Sequence, residues 1–118
     1  MTDTSAGEHH RLDLELEPDR ERVIVRPVGE IDIATVHDLE AEVEELLERG
    51  FDAMTVDLRE LTFIDGRGVR LLYELAQRLG PRLSVRPGPP AVQRAFEVCG
   101  LLGVIPFEPK RRRFIPRP

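Results

Sequence analysis

Leu61-Thr62-Phe63-Ile64-Asp65-Gly66-Arg67-Gly68 is the stretch on which the rest of the chain turns. It begins as the end of a buried segment, continues with a carboxylate, and closes with two glycines bracketing an arginine. From Val69 to Leu79 the apolar residues Val69, Leu72, Tyr73, Ala76 and Leu79 recur at the spacing of one helical face. Asp65 therefore stands at the N-cap of a helix, where its side chain can accept from the first unpaired amides, and Gly66 and Gly68 keep that start bare. A bare, exposed helix start with free N–H groups is a recognition point for an anion or a partner. On the opposite side Arg67, Arg70, Glu74 and Arg78 form an outward line, with Leu71 and Leu75 flanking it. An apolar pair beside mixed charges suits a protein-binding rim, and equally a helix buried over a wide arc.

Upstream, Leu12, Leu14 and Leu16 alternate with Asp13, Glu15 and Glu17, which predicts a half-buried strand. Pro18-Asp19 reads as a turn, and Arg22 to Val28, centred on Val23-Ile24-Val25, as a second strand, so the chain opens with a hairpin. Thr35, with Asp38 three residues on, reads as the N-cap of a helix whose buried face is Val36, Leu39, Val43, Leu46 and Leu47 and whose stop is Gly50. The glutamates between those positions are a solvated face. Ala53 to Leu58 is a strand, with Met54, Val56 and Leu58 on one side and Ala53, Thr55 and Asp57 on the other.

Downstream, Gly80-Pro81 ends the second helix and Leu83-Ser84-Val85 forms a short strand. Pro90 suits the first turn of a third helix, Ala91 to Val98, closed by Gly100, and Leu101 to Phe107 has room for a last strand at Val104-Ile105. The predicted order is β-β-α-β-α-β-α-β, a small α/β domain with a mixed sheet and helices packed against it. Residues 11–108 make up the domain, between a polar, disordered tail over residues 1–10 and a basic Pro/Arg-rich tail over residues 109–118.

Composition narrows the function classes. A chain of 118 residues supports one hydrophobic core, and no apolar run approaches the roughly 20 residues that cross a bilayer, so a cytoplasmic domain without a membrane span is expected. The net charge of -5 argues against direct nucleic-acid binding, and the basic run Lys110-Arg111-Arg112-Arg113 reads as a solvated terminus. Cys99 is the one cysteine, so an internal disulfide is excluded; in series with Val92, Ala95 and Phe96 it reads as a small buried hydrophobe. His9, His10 and His37 show no ligand spacing, and neither a metal nor a cofactor is expected. Without a serine-histidine pairing or a glycine-rich phosphate loop, the chain reads as a binding module and not an enzyme.

Three segments in order resemble the STAS domain, a family that includes the bacterial anti-sigma factor antagonists. They are Val28-Gly29-Glu30-Ile31-Asp32-Ile33-Ala34-Thr35, then Val56-Asp57-Leu58 with Leu61 to Val69, and Gly88-Pro89-Pro90-Ala91-Val92-Gln93-Arg94-Ala95-Phe96-Glu97 with Gly100-Leu101. The resemblance runs from about Leu12 to Phe107. It implies a partner-switching protein that binds an anti-sigma factor, itself a histidine-kinase-like ATPase with serine kinase activity, and so releases a sigma factor. In the family, phosphorylation of a serine at the start of the second helix reverses the binding. The family motif there resembles Asp-Ser-Ser-Gly or Asp-Ser-Thr-Gly; Asp65 and Gly68 match it, whereas Gly66 and Arg67 replace the two hydroxyl residues. Arginine accepts no phosphoryl group and carries the opposite charge to phosphoserine. The implied contact surface is Asp32, Ile33 and Ala34, then Asp65, Gly66, Arg67 and Gly68, with Arg70, Leu71 and Glu74.

Two other classes compete. Asp57 at the end of a central strand suits the phosphoacceptor of a response-regulator receiver, but such a domain opens strand-helix and needs an acidic pair after its first strand, which Glu17-Pro18-Asp19 in a hairpin turn serves poorly. Loss of the acceptor hydroxyl also fits an accessory STAS subunit of a transporter, a lipid-export machine or a stress-sensing assembly.

Overall fold

Alternating leucines and a tight turn build the opening hairpin. The computed structural model describes residues 11–109, so the expectations for residues 1–10 and for the basic run from Lys110 lie outside the described residues. Strands β1 (Leu12–Asp19) and β2 (Arg22–Ile31) pair antiparallel from Leu12↔Gly29 to Asp19↔Arg22. Their turn is Arg20-Glu21, with Arg20 at φ 60°, two residues later than the Pro18-Asp19 turn read from the sequence. Pro18 is tolerated inside β1 because this strand lies at the sheet edge, where a missing N–H leaves no neighbour unpaired.

The ten residues of β2 serve two parallel partners in succession. Its first half pairs with β3 (Ala53–Asp57), from Arg22↔Ala53 to Val25↔Val56, and its second half with β4 (Leu61–Ile64), from Gly29↔Leu61 to Ile31↔Ile64. Strand β5 (Leu83–Arg86) adds to β3, giving the order β1-β2-β3-β5 with β4 beside the far end of β2. The sequence shows β4 only as the end of a buried segment. It becomes a strand because the tight turn Leu58-Arg59-Glu60, closed by Leu61 N–H donating to the Leu58 carbonyl at 3.1 Å, returns the chain to β2. Gly29, at φ 120°, is fixed at the register shift between the two halves; a Cβ there would lie 2.1 Å from the Arg11 carbonyl oxygen.

Helices α1 (Val36–Glu48), α2 (Gly66–Leu79) and α3 (Pro90–Val98) cover one face of the sheet. Val23, Val25, Met54, Val56 and Val85 from the strands meet Leu39, Val43, Leu46, Val69, Leu72, Leu79, Val92 and Phe96 from the helices in a single core. On α2 the buried stripe includes Leu75, while Tyr73, predicted to point inward, is 37% exposed. Placing Leu75 beside Leu72, Ala76 and Leu79 gives a continuous stripe without burying a phenol that would need a partner. Glu44 of α1 and Arg78 of α2 bridge the two helices, and this bond holds the Glu44 carboxyl below its ordinary value.

Three further sequence expectations are corrected. Thr35 makes no side-chain cap; its hydroxyl donates to the Glu30 carbonyl at 2.8 Å and accepts from Asp32 N–H at 2.9 Å, so it locks the loop before α1 instead. Cys99 is exposed, because α3 ends at Val98 and the chain turns away at Gly100, φ 73°. No strand forms at Val104-Ile105: the N–H groups of both donate to the Leu101 carbonyl, at 3.0 and 3.1 Å, a turn that seats Ile105 in the core. The sheet gains only a single parallel bridge, Val85↔Phe107, with the Phe107 ring edge-on to Phe96 at 5.1 Å.

The other face of the sheet is polar and centred on Asp57, at the end of β3, with 0% of it exposed. Arg59 donates to it through its backbone N–H at 3.1 Å and its side chain at 3.0 and 2.8 Å, Arg26 of β2 at 3.0 Å and Arg86 of β5 at 3.4 Å. Burial by itself pushes this carboxyl up, but the bonds from Arg59 and Arg26 overcome that and hold it well below the usual carboxylate range. A carboxylate so enclosed is closed to a phosphoryl donor, which removes the physical basis of the receiver reading. Its folded-state pKa is depressed, so its contribution to stability is complete above the ordinary value of 3.8 and is lost as pH falls below it. Replacing Asp57 by Asn strands the arginines and is expected to cost about 3 kcal/mol in urea unfolding at neutral pH. The wild type should also lose stability below about pH 4 more steeply than Asp57→Asn; parallel pH profiles would contradict an ionised Asp57.

Candidate functional site

Strand β4 delivers the chain to the start of α2, and Asp65 caps it. Asp65 has extended backbone (φ -105°, ψ -173°), its Oδ1 accepts from the N–H groups of Arg67 at 2.9 Å and Gly68 at 3.3 Å, and its carbonyl accepts from Val69 N–H at 3.0 Å. The corner is tied to the sheet by Asp65 N–H donating to the Ile31 carbonyl at 3.1 Å.

The two glycines differ. A Cβ on Gly68 would lie 2.6 Å from Ile64 Cγ1 and 2.7 Å from Ile31 Cγ2, so Gly68 is a buried contact that lets the helix start press onto β2 and β4. A Cβ on Gly66 would meet nothing within 4 Å; this position is open to solvent. Arg67 follows, exposed, and its guanidinium makes no ion pair among the described residues. Its helical neighbours are engaged, Arg70 with Glu74 at 3.1 Å and Arg78 with Glu44. Thr62, the nearest hydroxyl, donates to the Gly29 carbonyl at 2.9 Å from within β4.

An open groove of about 680 Å³ runs between α1 and α2 at this end of the molecule. Asp65, Gly66, Arg67, Arg70, Leu71 and Glu74 line it, so six of the residues singled out in the sequence come together. Val36, His37 and Glu40 of α1 form its other wall. These three escaped the sequence reading, since only the packing of α1 against α2 brings them here. Asp32, Ile33 and Ala34 occupy the loop between β2 and α1 and do not line the groove. Ile33 is 60% exposed. Asp32 is held in place by Ala34 N–H at 2.9 Å and by Arg11 at 2.8 Å; burial raises its carboxyl, and these contacts bring it below its ordinary value. On the far side of the corner a smaller apolar groove lies between Val69 of α2 and Ala91, Ala95 and Val98 of α3. Among the described residues no group of three or more histidine, cysteine or acidic side chains could hold a metal ion, and no helix is long and apolar enough to cross a membrane.

A β-β-α-β-β-α-β-α chain with a capped helix start at its second helix agrees with the comparisons to known proteins. The family model described as "Mlab, STAS domain" matches residues 14–106. The chain belongs to the STAS domain family. Its sequence is 28% identical over 100 residues to the anti-sigma F factor antagonist of Paenibacillus polymyxa, covering 81% of this chain and 86% of that protein. In three dimensions this STAS domain resembles an anti-sigma factor antagonist from Mycobacterium paratuberculosis, with a TM-score of 0.74 and 25% identity over 84% of this chain and 86% of the other. It also shares its fold with the unphosphorylated anti-sigma factor antagonist SpoIIAA, at a TM-score of 0.67 and 22% identity over 83% and 90% of the two chains.

Within the STAS domain, Asp65 and Gly68 hold the geometry of the corner, while Gly66 and Arg67 are its free surface. Asp65→Ala is expected to lower unfolding free energy by about 1 kcal/mol through loss of the cap. Gly68→Ala should cost about 1–3 kcal/mol by overpacking against Ile31 and Ile64. Gly66→Ser should leave the urea midpoint within error of wild type. A Gly68→Ala variant as stable as wild type would contradict the close approach.

Proposed function

We propose that this STAS domain is a non-enzymatic partner-binding module of the anti-sigma factor antagonist type, which binds an anti-sigma factor of the histidine-kinase-like ATPase class and thereby releases a sigma factor. The observation that carries the reading is the capped, exposed start of α2 beside an open groove, in a chain whose relatives are named anti-sigma factor antagonists. The binding surface is the Asp65, Gly66 and Arg67 corner, continued by Arg70, Leu71 and Glu74 along α2 and by Asp32, Ile33 and Ala34 in the neighbouring loop, with Gly68 supporting it from beneath.

Arg67 sets this protein apart from a phosphorylation-switched antagonist. The position accepts no phosphoryl group, and its unpaired guanidinium favours a carboxylate on the partner, so binding is constitutive at this corner. An exposed ion pair contributes little, but one enclosed at an interface is worth considerably more, and placing Arg67 at the mouth of the groove favours enclosure. The same loss of an acceptor hydroxyl favours a second reading, an accessory subunit of a transporter, lipid-export or stress-sensing assembly.

Affinity capture from host lysate with wild-type and Arg67→Glu baits, with and without ATP, distinguishes the two. The antagonist reading expects an ATPase of the histidine-kinase-like class on the wild-type bait, unaffected by ATP, and about tenfold weaker binding to Arg67→Glu. Capture of transporter or assembly subunits by both baits alike would overturn it.

A further inference from the structure

A second cavity, of about 600 Å³, opens at the carboxyl ends of β3 and β5. After β3 the chain turns through Arg59 back toward β2, and after β5 it leaves through Pro87-Gly88-Pro89 into α3, with Leu58 N–H donating to the Arg86 carbonyl at 3.1 Å where the two exits meet. A crevice at the carboxyl ends of parallel strands is where open sheets collect small ligands.

The crevice is lined by cations fixed in advance. Arg59 grips the buried Asp57 through Nε at 3.0 Å and Nη2 at 2.8 Å, yet its side chain is 59% exposed and its other N–H groups have no partner among the described residues. Arg86 is held more loosely, 3.4 Å from Asp57 and 3.6 Å from Glu108. A guanidinium already ordered by a buried carboxylate loses little freedom when it takes a second anion. Gln93 adds neutral donors: its Oε1 accepts from Gly88 N–H at 2.8 Å, which turns the amide nitrogen outward with no partner among the described residues. Gly88 leaves no room for a side chain, since a Cβ would sit 2.9 Å from the Leu58 carbonyl oxygen. Pro87 and Pro90 form rigid apolar walls. The start of α3 itself offers little to an anion, because Pro90 has no N–H and those of Val92 and Gln93 are taken by the Pro89 carbonyl. Glu108 forms the one acidic edge, with its Oε2 bonded to the Ser84 hydroxyl at 2.5 Å.

We propose that this crevice binds a small organic oxyanion carrying an apolar ring, its oxygens on Arg59 and Gln93 and its ring between Pro87 and Pro90. The site is separate from the corner at Asp65; α3 borders both cavities, through Pro90 and Gln93 on this side and through Ala91, Arg94 and Val98 on the other.

The test is an NMR titration of the full chain with phenyl phosphate, benzoate and inorganic phosphate. Saturable shifts centred on Gly88, Gln93 and the Arg59 Nε–H group, with phenyl phosphate or benzoate binding more tightly than inorganic phosphate, are expected. The relative affinities of the first two identify which oxyanion the site prefers. Arg59→Gln should weaken binding about tenfold, and Glu108→Gln, which removes a like charge, should tighten it about threefold. Because Arg59→Gln also disturbs Asp57, Gln93→Ala supplies an independent reading and should weaken binding about threefold with the Asp57 contacts intact. Absence of saturable shifts up to about 10 mM ligand would overturn the proposal. So would shifts centred on Gly66 and Arg67, equal affinity for inorganic phosphate, or affinities unchanged in Gln93→Ala and Glu108→Gln.

Discussion

The contact of Gly68 with Ile31 and Ile64 is the constraint on which the corner at the start of α2 depends. Only a residue without a Cβ lets the first turn of α2 sit directly on the adjoining ends of β2 and β4. That approach brings Asp65 N–H to the Ile31 carbonyl and leaves the Asp65 side chain free to cap Arg67 and Gly68. With its amides satisfied from inside, the corner can afford an exposed Gly66 and an arginine without fraying. The cap is therefore first a stability device, and the surface it presents is a consequence.

The other face of the sheet is organised by charge. Asp57 lies where β2 changes partners from β3 to β4, a place where ordinary ladder hydrogen bonding is interrupted. Three arginines from β2, β5 and the turn after β3 converge on it, so one carboxylate holds both strands that flank β3 and the turn that follows it. Desolvation of the carboxylate is the largest opposing effect, and it is outweighed only because several donors act at once. The same enclosure leaves Arg59 ordered yet partly exposed at the mouth of the crevice.

Local pattern carried much of the fold. Alternating leucines gave the hairpin, 3.6-residue periodicity gave all three helices, and Asp65 followed by two glycines gave the cap that the structure contains. What stayed hidden depends on contacts distant in sequence. Strand β4 is four residues long and exists only because the end of β2 is free to pair. Tyr73 fits the apolar period of α2 as well as Leu75 does, and only the available core decides between them. Cys99 continues the face of α3 on a helical wheel, but the helix stops one residue earlier. At the site, the α2 residues were legible because they are consecutive turns of one helix, whereas Val36, His37 and Glu40 enter the groove through tertiary packing alone. The structural role of Asp57 stayed unread for the same reason: two of its three arginine partners, Arg26 and Arg86, lie 31 and 29 residues away.

The central claim is that recognition at the α2 corner rests on a fixed positive charge and not on a phosphorylation switch. The direct measurement incubates wild-type protein and an Arg67→Ser variant with a purified serine-kinase-type anti-sigma factor and ATP, then records intact mass and binding affinity. Wild type should keep its mass and its affinity, while Arg67→Ser should gain one phosphoryl group and lose affinity. A phosphoryl group on wild type accompanied by release from the partner would contradict the account.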